Sequence, residues 1–103
     1  MSTHSAIIAK FGDKDYRGIY CHFDGYWEGV GETLESRFNS EEQAKELIKL
    51  GDCSTITEER VRDYASLGED WHQTVGKTWR EVADEIDNSG NIYLWENGRW
   101  NKR

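Results

Sequence analysis

The sequence predicts an α+β domain: an antiparallel sheet of about four strands, made of an N-terminal and a C-terminal hairpin, with three to four helices mainly on one face. Three observations lead there. Runs of strand-forming residues flank a turn cluster near each end of the chain. Two Ser/Thr-x-x-Gln/Glu signatures in the middle precede apolar stripes at helical spacing. The content of 36% hydrophobic residues, with five Trp and five Tyr in 103 residues, suffices for one modest core, so residues 1–103 form a single domain.

Ser5-Ala6-Ile7-Ile8-Ala9-Lys10-Phe11 is short and partly β-branched, and Gly12-Asp13-Lys14-Asp15 turns it into a second run from Tyr16 to Phe23. The two-residue period of a strand puts Ile19, Cys21 and Phe23 on one face and Tyr20, His22 and Asp24 on the other. Gly25 breaks the run. Trp27, Val30, Leu34 and Phe38 then recur at spacings of three and four, which predicts an amphipathic helix with Trp27 packed beside Val30.

Ser40 and Gln43 form a capping box ahead of the stripe Ala44, Leu47 and Ile48, with Gly51 as the stop. Thr57, followed by Glu58 and Glu59, reads as the N-cap of a third helix through Val61, Tyr64 and Ala65 to Gly68. Glu69 to Lys77 has no period and reads as a loop anchored by Trp71. Thr78 and Glu81 cap a last helix whose inner residues are Trp79, Val82, Ala83 and Ile86. After Asn88-Ser89-Gly90, Asn91 to Trp95 alternates as a strand, and Glu96-Asn97-Gly98 turns it into Arg99-Trp100-Asn101-Lys102. In this scheme Ile7, Ala9, Ile19, Cys21, Phe23, Ile92 and Leu94 meet the helices, while Tyr20, His22, Tyr93 and Trp95 form an aromatic opposite face.

The formal charge of −7 repels phosphate backbones, so direct nucleic-acid binding is not expected, and a basic protein surface is the natural partner. No apolar run of about 18 residues predicts a membrane span, and no basic-then-apolar leader predicts secretion, so the expected location is cytoplasmic. Cys21 and Cys53 are expected as thiols, since a single pair is no disulfide framework. No cofactor is implied. Gly25-x-x-x-Gly29-x-Gly31 lacks the Lys of a phosphate cradle.

The chemistry concentrates between Tyr16 and Trp27. Cys21 and His22 are adjacent on a strand and point to opposite faces, which removes a nucleophile-base pair. His22 and Asp24 share a face, where the carboxylate can orient the imidazole or both can grip a polar ligand. A metal site lacks further ligands at recognisable spacing, and His4 and His72 are isolated in sequence. Tyr20, His22, Asp24, Tyr26, Tyr93 and Trp95 are the candidate ligand- or partner-binding residues, through stacking or as a protein interface. Glu81, Asp84, Glu85 and Asp87 are the candidate acidic face for a basic partner.

The segments Ser5-Ala6-Ile7-Ile8-Ala9, Tyr16-Arg17-Gly18-Ile19-Tyr20-Cys21-His22-Phe23-Asp24-Gly25-Tyr26 and Leu50-Gly51-Asp52 resemble a group of small, mostly uncharacterised bacteriophage and prophage proteins. The likeness covers about the first half and, more loosely, Tyr93 to Trp100. It departs at Trp27, where those relatives often carry Pro, and over Thr57 to Asn88. The resemblance implies a phage-encoded protein acting in the host cytoplasm. The resulting expectation is a non-enzymatic inhibitor of a host defence or regulatory component, bound through a basic surface on the host protein. The alternatives are sequestration of a nucleotide-like small molecule, with a homodimer as one way to build the pocket, and a small hydrolase using His22 as general base.

Overall fold

The computed structural model describes residues 3–65 and 72–103. The strands are β1 (Ser5–Gly12), β2 (Asp15–Cys21), β3 (Cys53–Ile56), β4 (Val61–Asp63), β5 (Thr74–Gly76), β6 (Ile92–Glu96) and β7 (Arg99–Lys102). Between β2 and β3 lie a π-helical turn (Trp27–Gly31), α1 (Glu32–Arg37) and α2 (Glu41–Lys49), and α3 (Trp79–Glu85) precedes β6. The class is α+β, but the sheet is larger than predicted and mixed. Its order is β4-β3-β2-β1-β6-β7, with β5 lying against β2.

The two predicted hairpins form. β1 pairs antiparallel with β2, and β6 with β7 through Asn97 and Gly98, both at positive φ as that two-residue turn demands. The hairpins join in parallel, Ile7 opposite Tyr93 and Ile8 opposite Leu94, which makes β1 the centre of the sheet. Ser5 to Ala9 are therefore buried without alternation, as for a strand covered on both faces.

Helices cover both faces, not mainly one. On one side Ile7, Ala9, Ile19, Cys21, Tyr93, Trp95 and Trp100 meet Val30 and Leu34 from the turn and α1, and Ala44, Leu47 and Ile48 from α2. On the other, Ala6, Ile8 and Leu94 meet Val82, Ala83 and Ile86 from the α3 region. Gly18 sets that second approach. A Cβ there would lie 2.6 Å from Val82 Cγ1 and 3.0 Å from Ile8 Cγ1.

Both N-caps form: Gln43 N–H donates to Ser40 Oγ at 3.1 Å and Glu81 N–H to Thr78 Oγ1 at 3.2 Å, while the return bond of a capping box is replaced by Ser40 Oγ donating to Gln43 Oε1 and Lys77 N–H donating to Glu81 Oε2. Thr57 also caps, but it caps a turn. Its Oγ1 accepts from Glu59 N and Arg60 N, and its own N–H donates to Arg60 O at 2.9 Å, so the chain reverses from β3 into β4 with Ile56 opposite Val61. The helix predicted after Thr57 is thus a hairpin arm over Val61–Asp63, and part of the predicted loop is the strand β5. Residues 66–71, including the expected anchor Trp71 and the stop Gly68, lie outside the described residues.

Candidate interaction site

Strand β2 ends at Cys21, and the next residues bind to β3 by backbone alone: His22 N–H donates to Cys53 O at 3.1 Å and Phe23 N–H to Ser54 O at 2.9 Å. Asp24 then takes a left-handed φ of 57°, ending the strand alternation, and Gly25 N–H donates to Thr3 O at 2.8 Å. The loop closes on itself through Val30 N–H to Asp24 O at 2.9 Å. Gly29 is required for that closure, because a Cβ there would sit 2.4 Å from the Asp24 carbonyl oxygen.

This geometry divides the predicted residues into three places. Tyr20 and His22 lie on the α3 side, with the Tyr20 hydroxyl hydrogen-bonded to His22 Nδ1. His4 joins them, its ring stacked on His22 at 4.9 Å and edge-on to Tyr20 at 5.2 Å, while its Nδ1 pairs with Asp87 Oδ2 at 2.8 Å. The sequence made His4 look isolated. Yet Ser5 opposes Cys21 in the hairpin register, so one further step sets His4 beside His22. Burial first, then the neighbouring Tyr64 and Asp87 charges, push the Tyr20 hydroxyl up to about 12.

Asp24 and Tyr26 turn the other way. The Tyr26 hydroxyl donates to Asp24 Oδ1 at 3.3 Å, and the Asp24 charge raises its pKa. His22 and Asp24 therefore do not share a face: the left-handed turn separates them, and the ring partners of His22 are Tyr20, His4 and Phe23, the last edge-on at 4.5 Å. Cys21 is equally remote from His22 chemistry, its thiol contacting Phe23 O at 3.6 Å and Ser54 O at 3.8 Å. Among the described residues no group of three or more His, Cys, Asp or Glu is placed to hold a metal ion.

Tyr93 and Trp95 occupy the third place, the core under α1 and α2, so the expected open aromatic face is closed. The alternation separating them from Ile92 and Leu94 is correct, but the parallel register with β1 gives it the opposite sense: Tyr93 and Trp95 lie with Ile7 and Ile19, Ile92 and Leu94 lie with Tyr20, and both sides are covered. The Tyr93 hydroxyl donates to Gly25 O at 2.6 Å, and burial, followed by the charge of Glu28, pushes it up to about 12. Among the described residues the exposed large hydrophobic rings are Phe23, predicted as core and 43% exposed, and Tyr26, 45% exposed. Phe23 escapes the core because the strand has ended two residues before it.

The acidic set on α3 is also divided. Glu81 folds back to accept from Lys77 N–H at 2.9 Å, Asp87 lies beyond the helix with His4, and Asp84 and Glu85 remain exposed. The denser acidic feature was not anticipated as a unit. Asp24, Glu28, Gly29 and Thr33 form one wall, and Ile56, Thr57, Glu58 and Glu59 the other, of a cleft of about 390 Å³. No ion pair engages its four carboxylates among the described residues. Glu58 accepts from Ser36 Oγ at 2.5 Å, which ties the second wall to α1.

No family model matches the chain, and no curated protein or solved structure matches it.

Proposed function

We propose that the protein is a non-enzymatic binding protein whose partner presents a basic segment, with an Arg or Lys side chain entering the cleft and its neighbours packing on Phe23 and Tyr26. The observation that carries this reading is four carboxylates lining one cleft, entered by a loop with two exposed rings, Tyr26 bonded to the cleft residue Asp24 and Phe23 edge-on to His22 at 4.5 Å, on a chain of formal charge −7. Acidic walls select a cation and speed its encounter. Aromatic rims supply the apolar contact area on which interface affinity depends.

The sequence resemblance to phage accessory proteins makes a host protein in the host cytoplasm the proposed partner, and inhibition of a defence or regulatory component the proposed outcome. Capture of a nucleotide-like molecule is the weaker reading, because two of its six candidate residues, Tyr93 and Trp95, are core. Of the other four, Tyr20 and His22 are already packed with His4, and Asp24 and Tyr26 face away from them and bond to each other.

The test is titration of an oligoarginine peptide, beside an oligoglutamate control, at rising salt. Binding of the basic peptide alone, weakening with salt and lost in Glu28→Lys/Glu59→Lys, supports the reading. Equal affinity in wild type and the double variant sinks it.

A further inference from the structure

Cys21 and Cys53 face each other across β2 and β3 as register partners. Both are fully buried and neither is in a disulfide. The neighbouring Cys21 thiol, together with burial, pushes the Cys53 thiol up. Adjacent strands lie about 4.8 Å apart, inside the roughly 4.4–6.8 Å window of Cα separations that a disulfide accepts. No rearrangement of chain path is therefore needed to join them.

The position of the pair gives the bond a consequence. Cys21 is the last residue of the strand that runs into the Asp24–Gly29 wall, and Cys53 begins the strand that ends in the Ile56–Glu59 wall. This pair is the register contact between β2 and β3, supplemented by the His22 and Phe23 amide bonds. The two walls thus hinge on the strand junction at which the two cysteines pair in register.

We propose that Cys21 and Cys53 are a redox modification site, closing to an intramolecular disulfide with hydrogen peroxide as oxidant and thereby fixing the spacing of the two cleft walls. The Cys21 thiolate attacks a peroxide oxygen, the O–O bond breaks, and the leaving hydroxide takes a proton to become water. The Cys53 sulfur then displaces the sulfenic hydroxyl as a second water. Two thiols and one peroxide give one disulfide and two waters. Access comes through local opening of β3 and β4, short strands at the sheet edge. The importance of wall spacing rests on the cleft being the binding site; formation of the bond does not.

The experiment treats reduced wild-type protein with hydrogen peroxide and reads intact mass, thermal midpoint and oligoarginine affinity. The expected results are loss of two hydrogens with no dimer, reversal by dithiothreitol, a midpoint raised by roughly 10 °C, and severalfold tighter peptide binding from a pre-organised cleft. Cys53→Ala should show none of these changes. Added oxygen atoms without hydrogen loss, or a dimer alone, overturns the disulfide. Disulfide formation with unchanged peptide affinity overturns its control of the cleft. Absence of peptide binding to the reduced protein defeats the cleft reading instead, and the mass still decides the bond.

Discussion

The buried hydroxyl of Tyr93 donates to the carbonyl of Gly25 at 2.6 Å, tying the core side of β6 to the loop that presents Phe23, Asp24 and Tyr26. A residue that seemed a surface contact is the post on which the surface loop is hung.

Tyr93→Phe tests that tie. The change keeps the ring and leaves the Gly25 carbonyl without this donor, which should cost about 1–3 kcal/mol in urea unfolding. Oligoarginine binding should weaken as the loop loosens. An unchanged unfolding midpoint would show that the bond contributes nothing.

Gly18→Ala probes the seating of α3. The new methyl would press on Val82 and Ile8, and overpacking of this kind costs about 1–3 kcal/mol. A compensating Val82→Ala in the same chain should recover part of the loss. Additive effects of the two changes would argue against the contact.

Charge reversal in the cleft should separate stability from binding. Glu59→Lys alters an exposed side chain, so the midpoint should stay within about 0.5 kcal/mol of wild type, while the affinity for a basic peptide falls by about tenfold. Phe23→Ala should weaken binding at high salt as much as at low salt, since its contribution is apolar.

Stability should fall in base. Tyr20 and Tyr93 stay protonated in the folded chain up to about 12, whereas an unfolded tyrosine ionises near 10. The stability they contribute is therefore fully present below pH 10 and lost as pH climbs from 10 to about 12. Tyrosinate absorbance and tryptophan fluorescence, recorded together, should show these two ionising with unfolding. Early ionisation of all five tyrosines in a still folded chain would contradict the burial that causes the shift.

What was legible in the sequence is what local chemistry decides. Ser40 and Thr78 cap the helices they announce, and Asn97-Gly98 makes its hairpin. The misreadings arise where one local signal serves two structures. Thr57 caps orphan amides in either a helix or a tight turn, and three-residue strands such as β4 and β5 are too short to show a period. The unbroken run Ala6-Ile7-Ile8-Ala9 did signal a strand covered on both faces, which would have placed a helix over each side and closed the face holding Tyr20 and its neighbours. The acidic cleft joins Glu28 to Glu58 and Glu59 across elements paired only in space, so spacing along the chain could not display it.

The parallel pairing of β1 with β6 also governs how the chain matures on the ribosome. Ile7 is synthesised early and its register partner Tyr93 late, so the most apolar strand must wait with one edge unpaired until β6 emerges. Such non-local pairing slows folding and leaves the nascent chain open to association through that edge. The first hairpin, with Lys10, Asp13, Lys14 and Asp15 at its tip, keeps charge close to the exposed strand during that interval.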